Sequence, residues 1–164
     1  MDALTLLQGQ ATITDELLTQ VFAPVTADQG AWRLPGGTAN AIAPTFIHAY
    51  HSEDRFVSAR GEREPLFVAE GWGVRLGFDP AAPWGDTTPL DPALCRDYTR
   101  AICTATERYL AALDPATLAR EVETPRGRRP LGEALSLVLV IHKGHHMGEI
   151  AALLGCQGER GFPF

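Results

Sequence analysis

The sequence predicts an all-α protein, a four-helix bundle with one long crossover between its second and third helices. Three observations carry that expectation. Four helix-length segments repeat apolar residues every three or four positions. Proline- and glycine-rich connections separate them, with Gly 16 and Pro 12 in 164 residues. No stretch alternates well enough to argue a sheet. The length suits a single domain over residues 1–164.

The first helix is expected over about residues 2–22, with Leu4, Leu7, Ile13, Leu17, Leu18 and Val21 as its apolar positions and Pro24 closing it. A polar connection, "TADQGAWRLPGGT", follows, in which "LPGGT" reads as a turn. The second helix begins near Thr38 or Asn40 and runs to Ala59, ended by Gly61; Pro44 falls in its first turn or so, where a missing N–H costs least.

The crossover, "GEREPLFVAEGWGVRLGFDPAAPWGDTTPL", is too long for a tight helical hairpin and carries Trp72 and Trp84. Connections of this length are often functional. "LFVAE" within it reads as a short strand or a turn. Asp91-Pro92 then supplies an N-cap with proline at the first helical position. Leu94, Tyr98, Ile102, Ala105, Tyr109 and Leu113 form one helical stripe, stopped by Asp114-Pro115. The fourth helix is expected from about Pro130 to Leu154, with Gly155 as its C-terminal cap.

Composition narrows the function. A net charge of −6 argues against nucleic acid or an anionic membrane surface, since phosphate binding needs clustered Lys and Arg. The short basic run "RGRR" at 126–129 reads as loop decoration. No apolar run is long enough to span a bilayer, and "MDALTLLQGQ" lacks the basic start of a signal peptide. Cys95, Cys103 and Cys156 have no CxxC spacing and read as free thiols in a reducing cytoplasm. Cys103 lies in a helical pattern, where a cysteine behaves as a small apolar residue. Dinucleotide and P-loop glycine motifs are absent.

All five histidines fall into two clusters, "FIHAYHSEDRF" and "IHKGHHMGEIAALLG". His142 and His146 are four apart, so their imidazoles share one helix face. That face, with Leu135, Val138, Leu139, Glu149, Ile150 and Leu153, reads as the core-facing stripe. Two buried imidazoles are costly without partners, and a shared cation resolves the cost; the i, i+4 pair is an established chelating spacing, as in HExxH. A third ligand is expected from another helix, and His48 is the candidate, because its face carries small or polar groups. Three neutral histidines leave a divalent ion its full charge and an open position. His51 and His145 lie off these faces and read as flanking residues. Glu149 is a candidate catalytic residue: fourth ligand, proton acceptor or orienter of a ligand, against an ordinary surface glutamate. Trp72, Trp84 and Tyr50 are candidate pocket residues by location.

These motifs resemble the DinB-like family. "IHKGHHMGEI" is similar to that family's last helix, "FIHAYHSEDRF" to its second, with a histidine followed by an acidic pair and Arg-aromatic, and "GERGFPF" to its ending. The resemblance covers essentially the whole chain. It implies an up-down-down-up four-helix bundle, commonly a homodimer, with a divalent ion, often zinc or nickel, held by His48, His142 and His146. It further implies a small-molecule substrate and no nucleic-acid partner. Relatives include transferases that use a low-molecular-weight thiol as co-substrate (mycothiol, bacillithiol or glutathione) and a maleylpyruvate isomerase. The expected function is therefore a metal-dependent thiol transferase. The alternatives are a hydrolase using metal-bound hydroxide and a non-catalytic metal-binding stress protein. One departure stands out: Glu149 occupies the position where the family usually has glutamine. A hemerythrin-like di-iron bundle is excluded, because helices one and three hold no histidine.

Overall fold

The computed structural model describes residues 1–81 and 89–162, and the protein is mostly helical. Helix α1 (Ala3–Phe22) starts where Asp2 accepts a hydrogen bond from the Thr5 N–H at 2.8 Å. A short α2 (Ala27–Ala31) interrupts the expected polar connection; Thr26 and Gln29 form a reciprocal capping box around its first turn. Helix α3 (Ile42–Arg60) begins later than its sequence suggests, behind Ala41, which offers no side-chain cap.

"LFVAE" is neither strand nor simple turn. It forms α4 (Leu66–Ala69), followed by α5 (Trp72–Leu76). The cause is tertiary: the wholly buried carboxylate of Asp54, on α3, accepts from the N–H groups of Leu66 at 3.0 Å and Phe67 at 2.8 Å. Those are donors that a helix start leaves unpaired. Gly71 and Gly77 bracket α5 in the left-handed region, at φ 65° and 63°.

Helix α6 (Pro92–Ala111) matches its expected bounds closely, with Asp91 accepting from Ala93 N–H. A 3₁₀ turn (Pro115–Ala119) and a two-residue antiparallel ladder follow, β1 (Glu121–Val122) on β2 (Arg129–Pro130), a sheet that the sequence pattern does not signal. The last helical run is α7 (Leu131–Ser136), a π-helical turn (Leu137–His142) and α8 (Lys143–Cys156). It runs through Gly155 instead of ending there, and Gln157 closes it.

Helix α1 packs on α6, α7 and α8, while α3 packs on α6 and α8. Two apolar clusters result, and α1, α3, α6 and the last helical run each feed both. From α1, Leu18, Val21 and Phe22 enter the larger cluster and Leu7 and Ala11 the smaller. Ile13, expected inside, is exposed. From α3 and α6, Ile42 to Tyr50 and Cys95 to Ile102 join the larger cluster, Val57 and Leu110 the smaller. Between them, each helix contributes one polar residue: Asp15, Glu53, Thr106 and Lys143. Lys143 Nζ lies 2.6 Å from Glu53 Oε2 and also contacts Asp15 Oδ1, while Thr106 Oγ1 donates to Glu53 Oε1 at 2.5 Å. A polar layer thus separates two cores. No helix among the described residues is long and apolar enough to cross a membrane.

Candidate metal centre

The π turn decides where the histidines face. Before it, the buried residues of the last helical run are Leu131, Ala134 and Leu135, and within it Leu139; after it they are Lys143, Ile150, Ala151, Leu153 and Leu154. A π turn accommodates one extra residue, which advances the helix phase by roughly 100°. The buried face therefore shifts from the line of His142 to the line of Lys143. This corrects the expectation that His142 and His146 lie on the core-facing stripe. They sit at its edge, half-buried, and look across at α3.

There they meet His48, from the middle of α3. The three rings form a triangle with centroid separations of 5.2, 5.1 and 4.6 Å, each pair edge to face. One ligand atom from each lies within 4.8 Å of the others. His142 Nε2 and His146 Nε2 are 3.1 Å apart, close to the ~3.3 Å nitrogen–nitrogen edge of a tetrahedral zinc site. Burial, then the neighbouring imidazoles, push His48 and His142 down to about 4. Both are therefore neutral at neutral pH, with lone pairs available. The donor set fits a divalent ion.

Glu149, one turn beyond His146, places Oε2 3.0 Å from His146 Nδ1. Accepting from Nδ1–H selects the tautomer that leaves the Nε2 lone pair facing the other two rings. His142 Nδ1 is buried without a hydrogen-bond partner among the described residues.

The flanking residues go elsewhere. His51 is buried with its ring edge-on to Phe67 at 4.7 Å, and His145 is exposed. Trp72 packs under the Arg75 guanidinium at 3.6 Å and donates its Nε1–H to Glu70. Tyr50 is wholly buried beside Lys143. Trp84 lies outside the described residues, as do Pro163 and Phe164 of the closing motif. Burial raises the Cys95 thiol to about 12 and pushes Cys103 up as well, so neither is a ready nucleophile.

Lys143, buried next to His142, carries no sequence signal of its role, since lysine is rarely interior. Its partner Glu53 belongs to the "SEDRF" stretch, where each residue after Ser52 has a separate task. Glu53 holds Lys143, Asp54 caps α4, and Arg55 and Phe56 line a groove. That groove, of about 550 Å³, runs between α3, the π turn and the β1–β2 connection, and His142 forms part of its wall.

A family model described as the DinB superfamily matches residues 10–150. The structure is similar to the crystal structure of a conserved protein from Enterococcus faecalis, with TM-score 0.73 and 17% sequence identity over 94% of this chain and 99% of that one. At that identity the likeness speaks for the fold alone. No curated protein matches the chain in sequence.

Proposed function

Because the chain belongs to the DinB superfamily, we propose that it is a divalent-metal-dependent enzyme acting on a small molecule, with a low-molecular-weight thiol as co-substrate in an S-transferase-type reaction. One observation carries the reading: three half-buried imidazoles converge beside a groove, and the cluster includes no fourth protein ligand among the described residues. Structural zinc sites are closed by four protein ligands, whereas catalytic ones keep a position open.

His48, His142 and His146 would hold the ion, and imidazole donors suit zinc or nickel. When bound, such an ion supplies Lewis acidity, which lowers the pKa of a thiol or water and polarises a carbonyl. Glu149 is a positioning residue in this reading, holding His146 with its Nε2 lone pair inward. The polar layer fixes the helix that carries both histidines: Lys143 ties its start to α1 and α3 between His142 and His146. The reading extends to an up-down-down-up four-helix bundle, supported by the contacts of α1 and α3 with both α6 and α8, and to a cytoplasmic homodimer.

A hydrolytic variant, with water in place of the thiol, is favoured by the carboxylate of Glu149, which can also take a proton. The test is metal analysis of untagged protein beside His48→Ala and His142→Ala, then assay of zinc- and nickel-loaded protein. Thiol-dependent conjugation of 1-chloro-2,4-dinitrobenzene that disappears in His142→Ala supports the transferase. Hydrolysis of 4-nitrophenyl acetate without thiol supports the variant. Metal binding without either turnover points to a non-catalytic metal-binding protein.

A further inference from the structure

The groove beside His142 combines two surfaces. Phe56, Leu137, Val138 and Ile141 make an apolar wall, and Arg55, Arg60 and Arg126 add guanidinium groups. Glu123 is the carboxylate in the lining, and it pairs with Arg128 at 3.4 Å. Arg60 is part of the wall: its Nη2 donates to the Glu123 backbone carbonyl at 2.6 Å, and its guanidinium lies 4.4 Å from the Phe56 ring centroid. Arg55 and Arg126 form no ion pair with a carboxylate among the described residues. Arg126 is near enough to His142 to help depress its basicity. In a chain of net charge −6, this is a local excess of positive charge.

We infer that the groove binds a small amphipathic carboxylate, its acid group held by Arg55 and Arg126 and its apolar body lying on Phe56, Leu137, Val138 and Ile141. The volume lies within the 300–1,000 Å³ range of small-molecule sites. A guanidinium fork matches the planar carboxylate with two parallel hydrogen bonds. Phosphate, by contrast, is commonly wrapped by backbone N–H groups. In the β1–β2 connection the Arg126 N–H is given to Thr124 Oγ1 and the Gly127 N–H to the Thr124 carbonyl. The inference names a substrate class for the proposed metal site and rests on that reading only in placing the molecule beside an ion.

The test is calorimetric titration of metal-free, full-length protein with 4-phenylbutyrate and with the neutral 4-phenylbutan-1-ol, for wild type, Arg55→Gln, Arg126→Gln and Arg126→Lys. Zinc binding is measured on the same samples. The acid is expected to bind at least about tenfold more tightly than the alcohol, a difference of ~1.4 kcal/mol. Each glutamine variant should remove most of that preference, and Arg126→Lys should retain part of it. Zinc stoichiometry should be unchanged, since both arginines lie outside the histidine cluster. Equal binding of acid and alcohol, an unchanged preference in the glutamine variants, or no binding by either overturns the inference. Acid preference in a protein that takes up no zinc leaves the groove standing and removes the metal reading; zinc uptake without acid preference does the reverse.

Discussion

Lys143 Nζ lies 2.6 Å from Glu53 Oε2, and neither side chain is exposed to solvent. Burial alone would pull the ammonium down, but Glu53 and then Asp15 outweigh it and hold Lys143 protonated. Removing Glu53 leaves the buried ammonium with Asp15 as the remaining one of its two carboxylates, and removing Lys143 leaves the buried Glu53 without its cation. Glu53→Ala is therefore expected to destabilise the protein by about 3–5 kcal/mol, read from urea unfolding. Lys143→Met should also be destabilising, and the double variant should cost less than the sum of the two. Strict additivity would show that the pair is not coupled.

The long helices and the histidine pair of the last helical run are legible in the sequence because both depend on local spacing. The periodicity of Leu94, Tyr98 and Ile102 and the Asp91-Pro92 start locate α6, and the i, i+4 spacing brings His142 and His146 together. Thr26 and Gln29 are a readable signature of α2 as well. The π turn is different, because "LVLVIH" carries nothing that distinguishes it from an α-helical turn. Its phase shift is visible in which residues end up buried, and Lys143 becomes interior where a regular helix would have kept His142 there. Helices α4 and α5 are equally hidden, since the group that starts α4 is Asp54, twelve residues earlier than Leu66.

Asp54 offers a separate test of that connection. Asp54→Ala leaves the N–H groups of Leu66 and Phe67 without their carboxylate and removes the partner of Ser58 Oγ. A loss of about 2–3 kcal/mol is expected, as for buried hydrogen bonds to a charged group. Hydrogen exchange at Leu66 and Phe67 should accelerate more than in α6. Uniform acceleration throughout the chain would argue against a local anchoring role.

For the histidine triangle, zinc added to metal-free protein should raise the thermal midpoint. At a free concentration a hundred times the dissociation constant the gain is about 2.7 kcal/mol. His48→Ala and His142→Ala should each abolish the gain while keeping the helical circular-dichroism signal. An undiminished zinc shift in His48→Ala would show that the two clusters do not share an ion.

Glu149 separates positioning from proton transfer. A glutamine there can still accept from His146 Nδ1–H, so Glu149→Gln should keep most zinc affinity, whereas Glu149→Ala should lose about 10–100-fold. If the carboxylate also takes a proton in the reaction, Glu149→Gln should lower kcat as severely as Glu149→Ala. A glutamine variant with full activity assigns Glu149 to positioning alone.

Acid should weaken the metal-free protein; His48, His142 and Asp15 set the balance, and His51, which burial also lowers, adds to the histidine side. His48 and His142 stand at about 4 in the folded chain against 6.5 for an ordinary histidine, because burial and then the neighbouring imidazoles oppose their charging. Between those limits the unfolded chain binds more protons, so their contribution is complete above about pH 6.5 and is lost as pH falls towards 4. Asp15 works in the opposite direction. Burial, against the attraction of Lys143, raises it to about 6 from 3.8, so the folded chain holds the extra proton between those limits and gains stability as pH falls. The histidines that lose stability in acid outweigh the one aspartate that gains it, so the urea midpoint of metal-free protein should be lower at about pH 5 than at about pH 7.5. His48→Gln should flatten that dependence, because it removes one of the histidines that lose stability in acid. Asp15→Asn should steepen it, because it removes the group that offsets them. A wild-type midpoint that does not fall in acid, or an Asp15→Asn profile flatter than wild type, would contradict the balance. Bound zinc should steepen the acid loss further, since protons then compete with the ion for the same imidazole nitrogens.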